Sequence, residues 1–163
     1  MQIINESDEK YKYLEQELCV TLFSMLRELN VLEEEMSRRD QANFVQITSG
    51  ERKQAEPNFF ANLYKEFKER YKKIVEDKCT VKLLSKGYGI GIGHPSRYFY
   101  IDEECVVIFS MKDANKAVLE IHYTHGSLNC KDRFKFVKER GKWLINAIDK
   151  YDPYDFVWHR GMI

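Results

Sequence analysis

The stretch 134-FKFVKERGKWLI-145 decides the fold. Phe134 and Phe136 oppose Arg133 and Lys135 with a period of two, the signature of a strand buried on one face. The polar run at 139–142 then breaks the alternation, and Trp143 opens another extended run. Gly141 stands where a hairpin with a bulge calls for a positive φ.

Further strands surround this hairpin. The runs 105-CVVIFSM-111, 117-AVLEIHYT-124, 132-DRFKFVKE-139 and 142-KWLINAID-149 read as strands, separated by short polar turns. Ala117, Leu119, Ile121 and Tyr123 share one face, with Val118, Glu120, His122 and Thr124 on the other. The run 80-TVKLLSKGYGIGIG-93 also reads as extended.

Upstream, the period is helical. Tyr11, Leu14, Leu18, Leu22, Met25, Leu26, Leu29, Leu32 and Met36 recur at three-and-four spacing, with Glu15, Glu28, Glu34 and Glu35 opposite. The stretch 40–57 breaks the stripe and reads as a connection, with Pro57 in the first turn of a second helix. That helix carries Phe60, Leu63, Tyr64, Phe67, Tyr71 and Ile74. Helices first and a meandering antiparallel sheet afterwards is the order of an α+β domain, with a curved sheet wrapped around the helices. One domain covers 1–163: helices at about 8–77, sheet at about 80–150 and an aromatic tail at 151–163.

The run 87-GYGIGIGH-94 carries four of the eight glycines. A phosphate loop needs a helix directly after its glycines, so that N-terminal amides meet the anion. Here the extended, aromatic segment 97-RYFYI-101 follows instead. The expected role is geometric: Gly87, Gly89, Gly91 and Gly93 strip one strand face of side chains, opposite Tyr88, Ile90 and Ile92.

Bulk composition narrows the function classes. The 163 residues are 44% hydrophobic and 32% charged, with 26 basic and 26 acidic side chains. Residues 1–40 hold ten acids and five bases; residues 131–163 hold eight bases and five acids. This asymmetry is too mild for a nucleic-acid face. No run reaches membrane-spanning length, and the N-terminus lacks a secretory pattern, which points to the cytoplasm. The four cysteines, Cys19, Cys79, Cys105 and Cys130, form no CxxC pair and read as reduced thiols.

Catalytic chemistry finds little support. His122 and His125 have an HxxH spacing, but on a strand they point to opposite faces and cannot share a metal. Asp102, Glu120 and Asp149 are the carboxylates beside strand runs, and no serine or cysteine stands in a nucleophile motif. No catalytic residue, metal or cofactor is therefore assigned. The tail 151-YDPYDFVWHRGMI-163 instead concentrates Tyr151, Tyr154, Phe156 and Trp158 beside His159 and Arg160. Aromatics with arginine are the types enriched at energetic centres of protein interfaces.

Two helices followed by a sheet that ends in Phe134, Phe136, Gly141 and Trp143 resemble the nuclear-transport-factor-2-like (cystatin-like) fold. That likeness implies helices packed in the concave face of a cone-shaped sheet. From Gly89 to Ile163 the sequence is similar to the immunity proteins of that fold in bacterial polymorphic toxin systems, including the Rhs-associated type. Gly93, Pro95, Tyr98, Trp158 and Arg160 occupy the comparable positions. The resemblance implies a non-enzymatic cytoplasmic protein that binds a cognate toxin domain and occludes its active site. His94, Arg97, Tyr98, Trp158, His159 and Arg160 are its candidate contacts. For a basic nuclease, the acidic first helix would be the natural docking face. The same fold also hosts isomerases, dehydratases and small-molecule binders, which would need an acid or base such as His122, Asp102 or Asp149 turned into the cone. It also leaves room for a homodimer through the open sheet face.

Overall fold

A computed structural model describes residues 1–50, 58–89 and 91–163. The chain is α+β: a long helix and a shorter one pack on one face of a six-stranded sheet. The elements are β1 (Gln2–Asn5), α1 (Lys12–Thr48), α2 (Phe59–Val75), α3 (Val81–Leu84), β2 (Val106–Asp113), β3 (Lys116–His125), β4 (Leu128–Glu139), β5 (Lys142–Asp152) and β6 (Val157–Gly161). The strands lie in the order in which they occur. All neighbours are antiparallel except β1, which runs parallel to β2 along the sheet edge.

The core follows the predicted stripe. Leu14, Leu18, Leu22, Met25, Leu26, Leu29, Leu32 and Met36 of α1 are buried, with Tyr11 packed at the margin. Leu63, Phe67, Tyr71 and Val75 of α2 join them, whereas Phe60 and Tyr64, expected in that stripe, are exposed. Against the helices stand Val107, Phe109, Ala117, Leu119, Ile121, Phe134, Phe136, Trp143, Ile145 and Ile148.

Helix α1 does not stop where its apolar stripe stops. It continues to Thr48, so 40–48 is helix rather than connection, although no residue after Ser37 in it is buried. Periodicity reports which face is covered, and an uncovered helical turn leaves no periodic trace. The remainder of that stretch, 51–57 with Pro57, lies outside the described residues.

The run expected as a first sheet strand at 80–93 is not one. Thr80 caps α3, its side-chain oxygen accepting from the Leu83 amide at 3.2 Å, and 87–89 and 91–93 have no regular structure. Ile90, assigned by alternation to the face opposite the glycines, lies outside the described residues. The glycines serve separate ends. Gly87 has φ +90°, which favours glycine, while a Cβ on Gly89 would stand 2.6 Å from an Arg97 guanidinium nitrogen. Gly91 and Gly93 face open space.

Two further elements were not legible as strands. Residues 2–5 form β1, and the tail folds back as β6, pairing Tyr151 with Trp158 and Asp149 with Arg160. The turn after β4 is also tighter than expected. Arg140 (φ 50°) and Gly141 (φ 81°) are both left-handed, a two-residue hairpin closed by Glu139 and Lys142. The bulge lies further along, where Asn146 is the extra residue between the pairs Lys135–Ala147 and Phe136–Ile145. There the backbone of Ile145 exchanges hydrogen bonds with Lys78 and Thr80, so the segment leading into α3 covers that stretch of the β5 edge.

Candidate functional site

Three neighbouring residues of α1 gather the segment that follows the glycines. Glu33 accepts from the Arg97 amide (2.8 Å) and from its guanidinium Nε (2.9 Å) and Nη2 (2.6 Å). Glu34 accepts from the Ser96 amide and pairs with His94 Nδ1, each at 3.1 Å, and Asn30 meets the Ser96 hydroxyl. Arg97 also donates to Tyr71 Oη at 3.0 Å. Of the expected contact residues, His94 is therefore exposed but tied to Glu34. Arg97 is committed to Glu33, and Tyr98 is a core residue, 1% exposed. Arg97 and Tyr98 hold this segment to the helix; burial removes Tyr98 as a surface contact, while the Arg97 side chain stays 26% exposed.

The same geometry changes the role of the acidic helix. Glu15 accepts from Asn5, Glu33 and Glu34 hold the 94–97 segment, and Glu35 forms a bidentate pair with Arg70 at 2.7 Å. These carboxylates bind the chain to itself, whereas Glu17 and Glu28 of the same helix are exposed.

On the core side of the sheet lies a carboxylate that sequence reading missed. Asp132 is 2% exposed, accepts from Tyr100 Oη at 2.9 Å and stands 3.7 Å from Lys150 Nζ. Burial raises its pKa against the opposing pull of Lys150 and Tyr100. Tyr123 stacks on Tyr100 with ring centroids 3.9 Å apart. A cavity of about 710 Å³ opens nearby, and Tyr123, Cys130, Lys131, His122 and Cys105 are in its wall, but Asp132 is not. Alternation places Asp132 in phase with Phe134 and Phe136, and a carboxylate at such a core-facing position is the signal that could have found it.

The carboxylates and histidine that would have marked a catalytic cone lie elsewhere. Asp102 is exposed and paired with Arg27 and Asn30. Asp149 and His122 are on the sheet face away from the helices, and so is Glu120. His125 packs beside Phe99 at the other face, as the strand parity of the HxxH pair requires. Among the described residues, no group of three or more His, Cys, Asp or Glu could hold a metal ion. No helix among the described residues is long and apolar enough to cross a membrane. Cys19, Cys79 and Cys105 are buried free thiols, and burial pushes Cys19 up to about 11.

The outer sheet face carries a different arrangement. Glu120 receives His122 Nε2 at 2.7 Å and Arg133 Nε at 2.8 Å. Burial opposes its ionisation, yet these two donors hold its pKa below the usual carboxylate range. Asp149 receives Lys135 at 2.5 Å and Arg160 at 3.3 Å. The Arg133 guanidinium lies 3.7 Å from the centre of the Trp158 ring, and Trp158 sits 5.4 Å from Tyr151. Trp158 and Arg160 are thus brought together on one face, while His159, one residue out of phase, points to the other and lies 4.0 Å from Asp152.

Beyond this face projects the β5–β6 turn. Asp152 accepts from the amides of Tyr154 (2.8 Å) and Asp155 (3.3 Å), which fixes the turn. At its tip Tyr154 is 72% and Phe156 76% exposed, and Phe156 has φ 57°. A bulky aromatic at that φ is strained, and the surrounding hydrogen bonds hold it there. Comparison with protein-family models, with curated proteins and with solved structures gives no match for this chain.

Proposed function

We infer that this chain is an inhibitory binding protein, an immunity protein that binds a secreted toxin domain in the cytoplasm and occludes its active site. The fold assignment that goes with it is the nuclear-transport-factor-2-like cone, supported by two helices on one face of a meandering sheet. The observation that carries the reading is the β5–β6 turn. Two large aromatic side chains stand about three-quarters exposed on a turn stiffened by Asp152, at the cost of strain at Phe156. A rigid aromatic projection loses little entropy on entering a partner's cleft, which suits tight inhibition. The polar wiring of the 94–97 segment supports it further, since it ties that segment to α1 and leaves the aromatic turn projecting on its own.

The test is co-expression with the toxin domain encoded immediately upstream of this chain. Protection of the cells and a complex on gel filtration are expected, and both should be lost in Tyr154→Ser/Phe156→Ser. Absence of protection and of a complex with the unaltered chain would sink the reading.

The second reading is a small-molecule binder or an enzyme of the isomerase or dehydratase kind. The buried Asp132 with Tyr100 and Tyr123, beside the cavity of about 710 Å³, favours it. In that case Asp132→Asn would abolish function, whereas an inhibitor keeps its protection in that variant.

A further inference from the structure

The charges of the outer sheet face are layered. On the part of this face bordered by β6, four cationic side chains, Lys131, Arg133, Lys135 and Arg160, stand with two carboxylates, Glu120 and Asp149, while the exposed Asp113 and Glu139 lie with Lys116 and Lys142 at the far end. The carboxylates lie beneath, 17% and 9% exposed, while Arg133, Lys135 and Arg160 are 28%, 38% and 51% exposed. Glu120 and Asp149 act as struts that aim these cations outward, and the outermost charge of this patch is positive. Tyr151 and Trp158 form an aromatic floor between them, with Lys131 5.1 Å from the centre of the Tyr151 ring.

We propose that this face is the docking surface and that its occupant is a protein presenting a cluster of carboxylates. The inference rests on reading the chain as an inhibitory binding protein, and it adds the place and the chemistry of the contact. Fixed cations above an aromatic floor match carboxylates that approach from solvent, and the charge steers their encounter. The face is continuous with the Tyr154–Phe156 turn, since the pair Tyr151–Trp158 lies directly behind the closing pair Asp152–Val157. Single-stranded nucleic acid would satisfy the same cations, but it binds by stacking bases on bare rings. Here each ring already has a cation over it. A second copy of the chain would bring like charges together.

The experiment measures binding by calorimetry at two salt concentrations, with the upstream-encoded domain as partner. Lys131→Glu/Arg160→Glu should weaken the complex by about 100-fold or more and flatten its salt dependence, while Lys68→Glu on α2 changes it less than about twofold. Lys131→Gln/Arg160→Gln, which leaves the struts paired through Arg133 and Lys135, should give an intermediate loss with an unchanged circular dichroism spectrum. A complex indifferent to both double variants overturns this surface and leaves the inhibitor reading standing. If no complex forms at all, that reading fails, and the surface is decided with poly-L-glutamate, followed by Trp158 emission in a Trp143→Phe background. A shift lost in Lys131→Gln/Arg160→Gln supports the acidic occupant; no shift overturns it. Tighter binding of oligo(dT) than of poly-L-glutamate, or a homodimer dispersed by Arg160→Glu, would overturn it as well.

Discussion

Glu33 and Arg97 form the central polar tie of the fold: one buried carboxylate of α1 accepts both the backbone amide and the guanidinium of Arg97. The Glu33 side chain is 1% exposed and that of Arg97 26%. Removing the acid strands a largely covered cation. Glu33→Gln should cost about 3 kcal/mol, the lower end for breaking a buried pair, because Arg97 retains some contact with water. Urea unfolding monitored by circular dichroism measures it, and a cost under half that size would place the pair among ordinary surface bridges.

The glycine run provides a paired test of close packing. A methyl group at Gly89 would press on the Arg97 guanidinium, which Glu33 pins, whereas one at Gly91 meets nothing within 4 Å. Gly89→Ala should lose about 1–3 kcal/mol by overpacking. Gly91→Ala should stay within about 0.5 kcal/mol of the parent. Equal thermal midpoints for the two variants would contradict this division.

Asp132 sets a pH dependence of known sign. Its folded pKa lies above the ordinary value of 3.8, so the stability it contributes is complete below that value and is lost as pH rises through the folded pKa. Asn at this position stays neutral and can still accept from Tyr100, though it gives up Lys150. The stability of Asp132→Asn relative to the parent should therefore climb as pH rises from 3 towards 7, read from denaturant midpoints at each pH. A difference that stays flat or falls over this range would mean that burial does not govern this carboxylate.

Phe156 should trade stability for binding. Phe156→Gly relieves a left-handed conformation that an aromatic residue adopts at a cost, so the folded chain should gain about 1 kcal/mol. The same change removes one of the two projecting rings, and affinity for the partner should fall by about tenfold or more. A variant that binds as tightly as the parent would show that the turn is not a contact.

Much of the frame was readable because it rests on burial with a fixed period. The stripe from Leu14 to Met36 and the alternation from Ala117 to Tyr123 each record one covered face. Sequence reading erred where no period exists. Phe44 and Val45 lie exposed on their helical turns, and Thr80 reads as a β-branched strand residue until its hydroxyl is seen to cap α3. Trp158 and Arg160 were identifiable by composition, but only the register with Tyr151 and Asp149 shows that they share a face. Tyr98 looked like a surface aromatic because its partner, Tyr71, is 27 residues away and belongs to another element.

Strand β1 has a consequence for self-association. The other pairs join strands linked by short turns, while β1 reaches β2 across the whole helical part of the chain, with Gln2 opposite Val106. Contacts so distant in sequence form late, because a long loop must close first. Until they form, β2 offers Val106, Val107 and Ile108 along a bare hydrogen-bonding edge, the kind of template on which chains stack into aggregates. Four residues at the start of the chain thus guard the sheet, and a variant lacking them should bind thioflavin T on standing while its remaining strands stay paired.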